Sequence, residues 1–212
     1  MVSKQGWLHL SHAKVAREIY TQLAQQNLLE DTPTFWWPNS GSFEVVVGAI
    51  LTQNTTWSNV EKSLANLEGF LDLESFLKLD EEQLKCKIQP SGFYNQKAPR
   101  LLQLAHNIQQ EFQTFEQFQK DVTREWLLKQ KGIGEESADA MLCYGCFRGE
   151  MVVDTYAKRL LLGYNIEFKT YTQYKNFLSG AYRKGDGELW HFFALFHGMI
   201  VEYNKRLQKG QR

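Results

Sequence analysis

Cysteine, proline and net charge are all scarce in this 212-residue chain, and each scarcity closes off a class of protein. Three thiols, Cys86, Cys143 and Cys146, would leave one over in any disulfide framework, which fits a reducing compartment. They also fall short of the four thiolates an iron–sulfur cluster needs. Cys143-Tyr144-Gly145-Cys146 has redox spacing, but it lacks a βαβ context and a further Cys/His pair for zinc, so packing is its expected role. Only 4 prolines, with 43% hydrophobic and 14% aromatic residues, exclude disorder as the main state and point to one compact domain or two small ones. The 24 Lys+Arg against 24 Asp+Glu exclude a global field that would announce a nucleic-acid or membrane partner. No run is apolar for the length of a membrane span, and Met1 to Leu10 is too mixed for a signal peptide, so a cytoplasmic location is expected.

What the sequence does have is helical period almost everywhere. Leu101, Leu104, Ala105, Ile108 and Phe112 mark one apolar stripe, and Leu189, Phe193, Phe196, Ile200 and Tyr203 mark another. Phe43, Val46, Val47, Ile50 and Leu51 are β-branched enough for a strand, yet length and a capping Ser42 favour helix. Breaks fall at Thr32 to Gly41, Gln89 to Gly92, Lys131 to Gly134 and Phe147 to Val153. The expectation is an all-α protein of about ten helices without repeats.

Charge is uneven beneath its zero sum. Lys85, Lys87, Lys97 and Arg100 share one acid-free window, Lys158 and Arg159 a second, and Lys205, Arg206, Lys209 and Arg212 a third. Asp72, Glu74, Asp80, Glu81 and Glu82 crowd an acidic stretch. The expected consequence is positive charge local to one face.

The densest signal runs from Leu127 to Ala140. A helix ends at Lys131-Gly132-Ile133-Gly134 and another starts at once, with Ala138, Met141, Leu142 and Gly145 as its packing face. The two glycines permit positive φ and leave amides unshielded, and Ile133 can plug the turn into the core. Such amides at a helix start suit an anion, with a DNA phosphate the natural candidate. Twenty residues beyond Gly134 comes Val152-Val153-Asp154-Thr155-Tyr156, an acid ahead of a new helix.

Hairpin, spacing and Val-Asp-Thr together resemble the helix-hairpin-helix superfamily of DNA glycosylases related to endonuclease III. Trp36-Trp37-Pro38-Asn39, Leu51-Thr52-Gln53-Asn54-Thr55, Pro90-Ser91-Gly92-Phe93-Tyr94-Asn95-Gln96-Lys97-Ala98, Val122-Thr123-Arg124-Glu125-Trp126-Leu127-Leu128 and Phe196-His197-Gly198 extend the match. In this order they are similar to the bacterial 3-methyladenine DNA glycosylases of type III. The resemblance implies two all-helical domains with the active site in the cleft between them. A hairpin domain would cover 42–150, and both termini, 1–41 and 151–212, would form the second.

The same resemblance implies site roles. Asp154 would be the catalytic carboxylate. Trp36, Trp37, Pro38 and Trp57 would line a base pocket with Glu136 and Lys205, the last two as a charge pair. Gln53 would fill the gap left by the extruded nucleotide, and Lys131, Gly132, Ile133, Gly134 and Ser137 would contact DNA. Plainer readings stand beside these: Asp154 as a helix cap, the tryptophans as core, Glu136 as a first-turn acid.

Three departures refine the implied chemistry. Where bifunctional relatives carry a Schiff-base lysine the residue is Glu136, so no lyase activity is expected. No cysteine follows Cys146, so no iron–sulfur cluster is expected, and no metal site is assigned, although a monovalent cation at the hairpin carbonyls is compatible with the fold. Met199 follows His197-Gly198 where some methyladenine-specific relatives are expected to have lysine. The expectation is therefore a monofunctional glycosylase, monomeric and associated with bacterial DNA. It would excise alkylated purines, 3-methyladenine first, from double-stranded DNA. The alternatives are a glycosylase for oxidised or mismatched bases, or a non-catalytic DNA-binding hairpin module.

Overall fold

A computed structural model describes residues 11–210, apart from the Lys209 side chain. The sequence readings of Met1 to Leu10, of the Lys209 side chain and of Arg212 lie outside the described residues. Among those described there is no strand. Twelve α-helices follow in order: α1 (His12–Ala24), α2 (Phe43–Leu51), α3 (Trp57–Asn66), α4 (Leu73–Phe76), α5 (Glu81–Ile88), α6 (Tyr94–Phe112), α7 (Phe115–Asp121), α8 (Arg124–Leu128), α9 (Glu135–Ala140), α10 (Thr155–Gly163), α11 (Tyr171–Ser179) and α12 (Leu189–Gly210). They sort into two compact units. One is Asn39–Phe147; the other joins the segment ending at Pro38 to the segment starting at Arg148.

In the unit of Asn39–Phe147, α2 is the central element. Val45, Val46, Val47, Ile50 and Leu51 are all buried, so the helix is apolar on every side and its sequence imitates a strand. Ser42 precedes it but does not cap it with its side chain, because the hydroxyl instead donates to the Asn39 carbonyl at 2.7 Å. An aromatic cluster of Phe43, Phe76, Phe112, Phe118 and Trp126 packs edge to face at ring separations of 5.1 to 5.9 Å. The acidic stretch has a structural use: Asp72 caps α4, Asp80 closes a capping box on α5, and Glu81 and Glu82 both pair with Lys85. Beyond α9 the chain widens into one π-turn, Met141–Gly145, fully buried. The Tyr144 carbonyl there accepts from the Gly41 amide, and the Gly145 carbonyl from the Gln119 carboxamide, both at 2.7 Å.

In the other unit α12 is the spine. It packs on α10 and α1, and α11 closes against α1. Ile19, Leu23, Leu161, Leu178, Phe196 and Ile200 are buried at the centre, and Tyr20 stacks on Phe192 at 4.4 Å. Arg17 clamps the loop before α12 through an ion pair to Asp186.

Candidate functional site

The hairpin between α8 and α9 is tied at both ends. Thr123 caps α8, and Arg124 reaches across to Asp139 at 2.7 Å and to Glu135 at 3.3 Å. Asp139 is fully buried, and its hydrogen bond holds the Arg124 guanidinium protonated well beyond its ordinary range despite partial burial. Ile133 plugs inward as expected, at 7% exposure. Only one of the two glycines is left-handed: Gly132 has φ of +84°, whereas Gly134 is extended at −96° and serves as the N-cap of α9. A side chain at Gly132 would also collide with Arg100, whose Cδ lies 2.6 Å from the position of a Cβ. Gly132 and Gly134 are exposed, and the Ile133 amide is engaged with the Gln130 carbonyl at 3.2 Å.

Gln53 lies directly on this turn. It sits in the bend after α2, and its carboxamide donates to the Gly132 carbonyl and to Ser137 Oγ, each at 3.0 Å. The structure therefore brings together Gln53, Gly132 and Ser137. Lys131 and Glu136 are exposed beside them. Trp57 opens α3 in this same unit, half-buried, with its indole donating to Glu61 at 3.0 Å.

In the other unit, Asp154 is the N-cap of α10, accepting from the Ala157 amide at 2.7 Å. The cap predicted as the plainer reading is therefore present, and it leaves the second carboxylate oxygen, Oδ2, 3.5 Å from Nε2 of the buried His197. Burial pushes the Asp154 carboxyl up. The His197 imidazole beside it, with the amides of Ala157 and Tyr156, outweighs that and holds it below the usual carboxylate range. An ionised carboxylate is thus largely shielded from bulk water and held on two sides.

His197 also faces Trp36, edge to face, with ring centres 5.1 Å apart. Trp36 has a left-handed backbone, φ +68°, and lies against Gly198, where a Cβ would be 2.5 Å from its Cγ. That contact explains the glycine of Phe196-His197-Gly198. Trp37 is buried at 7% exposure and meets Trp36 at 6.2 Å. Pro38 follows, half-buried. Glu202, absent from the sequence reading, completes the group: it accepts from the Trp36 indole at 3.0 Å and from Lys205 at 2.8 Å. Lys205 in turn lies 5.8 Å from the Trp36 ring centre. The carboxylate that pairs with Lys205 is Glu202, one turn back on α12. The spacing Gly198, Glu202, Lys205 on one helix face was the available signal. A polar hollow of about 310 Å³ adjoins Glu202 and Lys205, but it is lined by Asn27, Asp31 and Arg206 and not by Asp154 or Trp36.

The basic windows are less free than expected. Lys85 is paired twice, Lys87 donates to the Asn66 carbonyl, Lys97 is buried, and Arg206 donates to the Gln26 carbonyl. Arg100, Lys131, Lys158 and Arg159 make no ion pair among the described residues.

Comparison with known proteins gives this geometry a context. A putatively catalytic acid after a glycine hairpin is the frame of the solved 3-methyladenine DNA glycosylase of H. pylori bound to 1,N6-ethenoadenine, which is 41% identical with a TM-score of 0.85. The match covers 90% of this chain and 97% of that one. A provisionally named DNA repair glycosylase of Methanocaldococcus jannaschii is 38% identical over 81% of this chain and 80% of its own length. An endonuclease III trapped on DNA, at 17% identity and TM-score 0.71 over 92% of this chain and 86% of that one, shares the fold. The family model for HhH-GPD superfamily base excision DNA repair proteins matches residues 47–179, from α2 through the hairpin and Asp154 to α11. The chain belongs to the HhH-GPD superfamily of base excision DNA repair proteins and is a DNA glycosylase.

Proposed function

We propose that this glycosylase is monofunctional and removes alkylated purines, 3-methyladenine first, by hydrolysis. The observation that carries the reading is the group joined through His197: an ionised, half-buried Asp154 beside the imidazole, and the Trp36 ring meeting the same imidazole edge to face. An N3- or N7-alkylated purine is cationic. An indole face and a carboxylate are the two groups that favour such a base, extruded from the stack, over a neutral one.

In the reaction the bonding pair of the N-glycosidic bond passes to the base nitrogen. The base, cationic before, leaves neutral and needs no acid to protonate it. Positive charge develops on the sugar, where Asp154 stabilises it and orients a water that adds at C1′ and gives up a proton. Trp37 and Pro38 would back the stacking surface, with Lys205 as a further pocket residue. Gln53, Lys131, Gly132, Ile133, Gly134 and Ser137 would hold the duplex. Glu136 offers no amine to form a Schiff base. A four-cysteine cluster, as some relatives of endonuclease III type carry, does not fit a chain with three cysteines and none after Cys146. Support for the substrate class comes also from the identity to the H. pylori enzyme.

The test is a panel of duplexes carrying 3-methyladenine, 7-methylguanine, 1,N6-ethenoadenine, an oxidised pyrimidine or a mismatch, scored for base release with and without alkali. Release of methylated purines, with strand cutting only after alkali, is the expected result. Cutting without alkali would overturn the monofunctional reading, and preference for the oxidised base or mismatch would overturn the substrate.

A further inference from the structure

Lys97 is 2% exposed, and no carboxylate lies within ion-pair distance of it among the described residues. Its ammonium donates to two backbone carbonyls, Leu51 at 2.8 Å and Ser91 at 2.9 Å. Burial pushes it down to about 8. A methionine would fill the same space without that desolvation cost, so the two hydrogen bonds call for an explanation.

Both acceptors are the last residues of their elements. Leu51 ends α2, and the chain turns immediately through Thr52, Gln53 and Asn54, the last with φ of +54°. Ser91 ends the 3₁₀ turn Gln89–Ser91, and the chain turns through Gly92 and Phe93, with φ of +67° and +49°. Carbonyls at helix ends lack intrahelical partners and carry partial negative charge, so one ammonium can hold two of them together. Gln53 reaches the hairpin at Gly132 and Ser137, and Phe93 is 58% exposed, the second most exposed large apolar side chain described. A phenylalanine standing in water on a left-handed turn has no folding role that its burial would show.

We propose that Lys97 is a positioning residue for DNA engagement: by binding the Leu51 and Ser91 carbonyls it sets the Gln53 turn against the Phe93 turn, so that both side chains meet a duplex as one rigid unit. The proposal rests on the glycosylase reading only in taking damaged duplex DNA as the ligand, and it concerns binding, not the bond broken.

The test is a mutant cycle on duplex affinity, read by fluorescence anisotropy with a duplex containing a tetrahydrofuran abasic analogue and with an undamaged one. Lys97→Met should weaken binding to the analogue duplex about tenfold, with little change on the undamaged duplex. In a Gln53→Ala/Phe93→Ala background the same change should weaken it no more than about twofold, because its targets are gone. Equal losses in both backgrounds would show a merely structural lysine and overturn the proposal, as would wild-type affinity in Lys97→Met. Lys97→Gln, which keeps N–H donors, should recover part of the affinity and stands in if Lys97→Met does not fold. A measurement without any change at 97 runs beside it: in lysine-labelled protein the Lys97 ammonium resonance should shift on binding the analogue duplex, and not in the Gln53→Ala/Phe93→Ala protein. An unmoved resonance in the wild type overturns the proposal. These readouts do not involve base release, so they stand or fall separately from the substrate panel.

Discussion

Replacing Asp154 by asparagine separates the two things this carboxylate can do. Asparagine is as good an N-cap as aspartate, so the bond to the Ala157 amide survives and unfolding free energy should change by no more than about 0.5 kcal/mol. The charge does not survive, and single-turnover base release should fall by about 10²-fold to 10³-fold or more. Near wild-type turnover would return Asp154 to a cap alone. Acid pH gives the same separation. The carboxyl is held below its ordinary range in the fold, so its ionised form stabilises the protein above the usual carboxylate pKa, and that contribution disappears as pH falls through the lowered value. Thermal melts should show the wild type losing this increment in acid, and Asp154→Asn should not. Asp154 and the Trp36-Trp37 pair were legible in the sequence because each sits in a short contiguous motif. Glu202 was not, because its partners Trp36 and Lys205 lie 166 residues and one helical turn away, and only folding joins them. At Gly198 the same indole gives a further expectation. A methyl group there would displace a rigid ring, and Gly198→Ala should cost about 1–3 kcal/mol by overpacking and reduce base release in step. Unaltered activity would show that Trp36 does not contribute to the pocket.

Elements of the hairpin are joined by the two ion pairs of Arg124. Arg124→Ala would take the guanidinium from the buried Asp139 carboxylate, and the expected loss is about 3 kcal/mol in denaturant unfolding, far above that of an exposed pair. A loss under about 1 kcal/mol would mean that the carboxylate finds water or another donor. The hairpin itself was legible: Gly132, Ile133 and the adjoining helices are where the spacing predicts them, because a glycine turn with an apolar plug is a local solution. The division of labour inside it was not, since whether Gly132 or Gly134 takes the left-handed backbone is decided by how Arg100 and α9 approach. The helix α2 was legible from length against its own β-branched propensity, but its Ser42 cap was misread, because the hydroxyl has a nearer acceptor in Asn39. The π-turn at Met141–Gly145 left no sequence signal. It exists because Gly41 and Gln119, distant in sequence, supply donors for its carbonyls.

For the whole molecule the question is how a chain of zero net charge binds a polyanion. Ten basic residues in acid-free windows, all meeting phosphates, would give a slope of log affinity against log salt near −9, and a loss of about 10⁵-fold between about 50 and about 200 mM salt. The fold removes several of them from that role. Lys97 points into the core, Lys85 is spent on Glu81 and Glu82, Lys205 on Glu202, and Lys87 and Arg206 on backbone carbonyls. Arg100, Lys158 and Arg159 are left, joined by Lys131 of the hairpin, with Lys209 and Arg212 outside the described side chains. With about four to six phosphate contacts the slope should lie near −4 to −5, and the loss over the same salt range near 10²-fold to 10³-fold. Anisotropy titrations on an undamaged duplex measure it directly. A slope close to −9 would show that the paired lysines release their carboxylates to bind DNA. A flat one would show that backbone amides and aromatic contacts carry the affinity. Within the expected range, Lys131→Ala and Arg159→Ala should each reduce the slope by about one and weaken binding alike on every sequence, the mark of a phosphate contact as opposed to base readout.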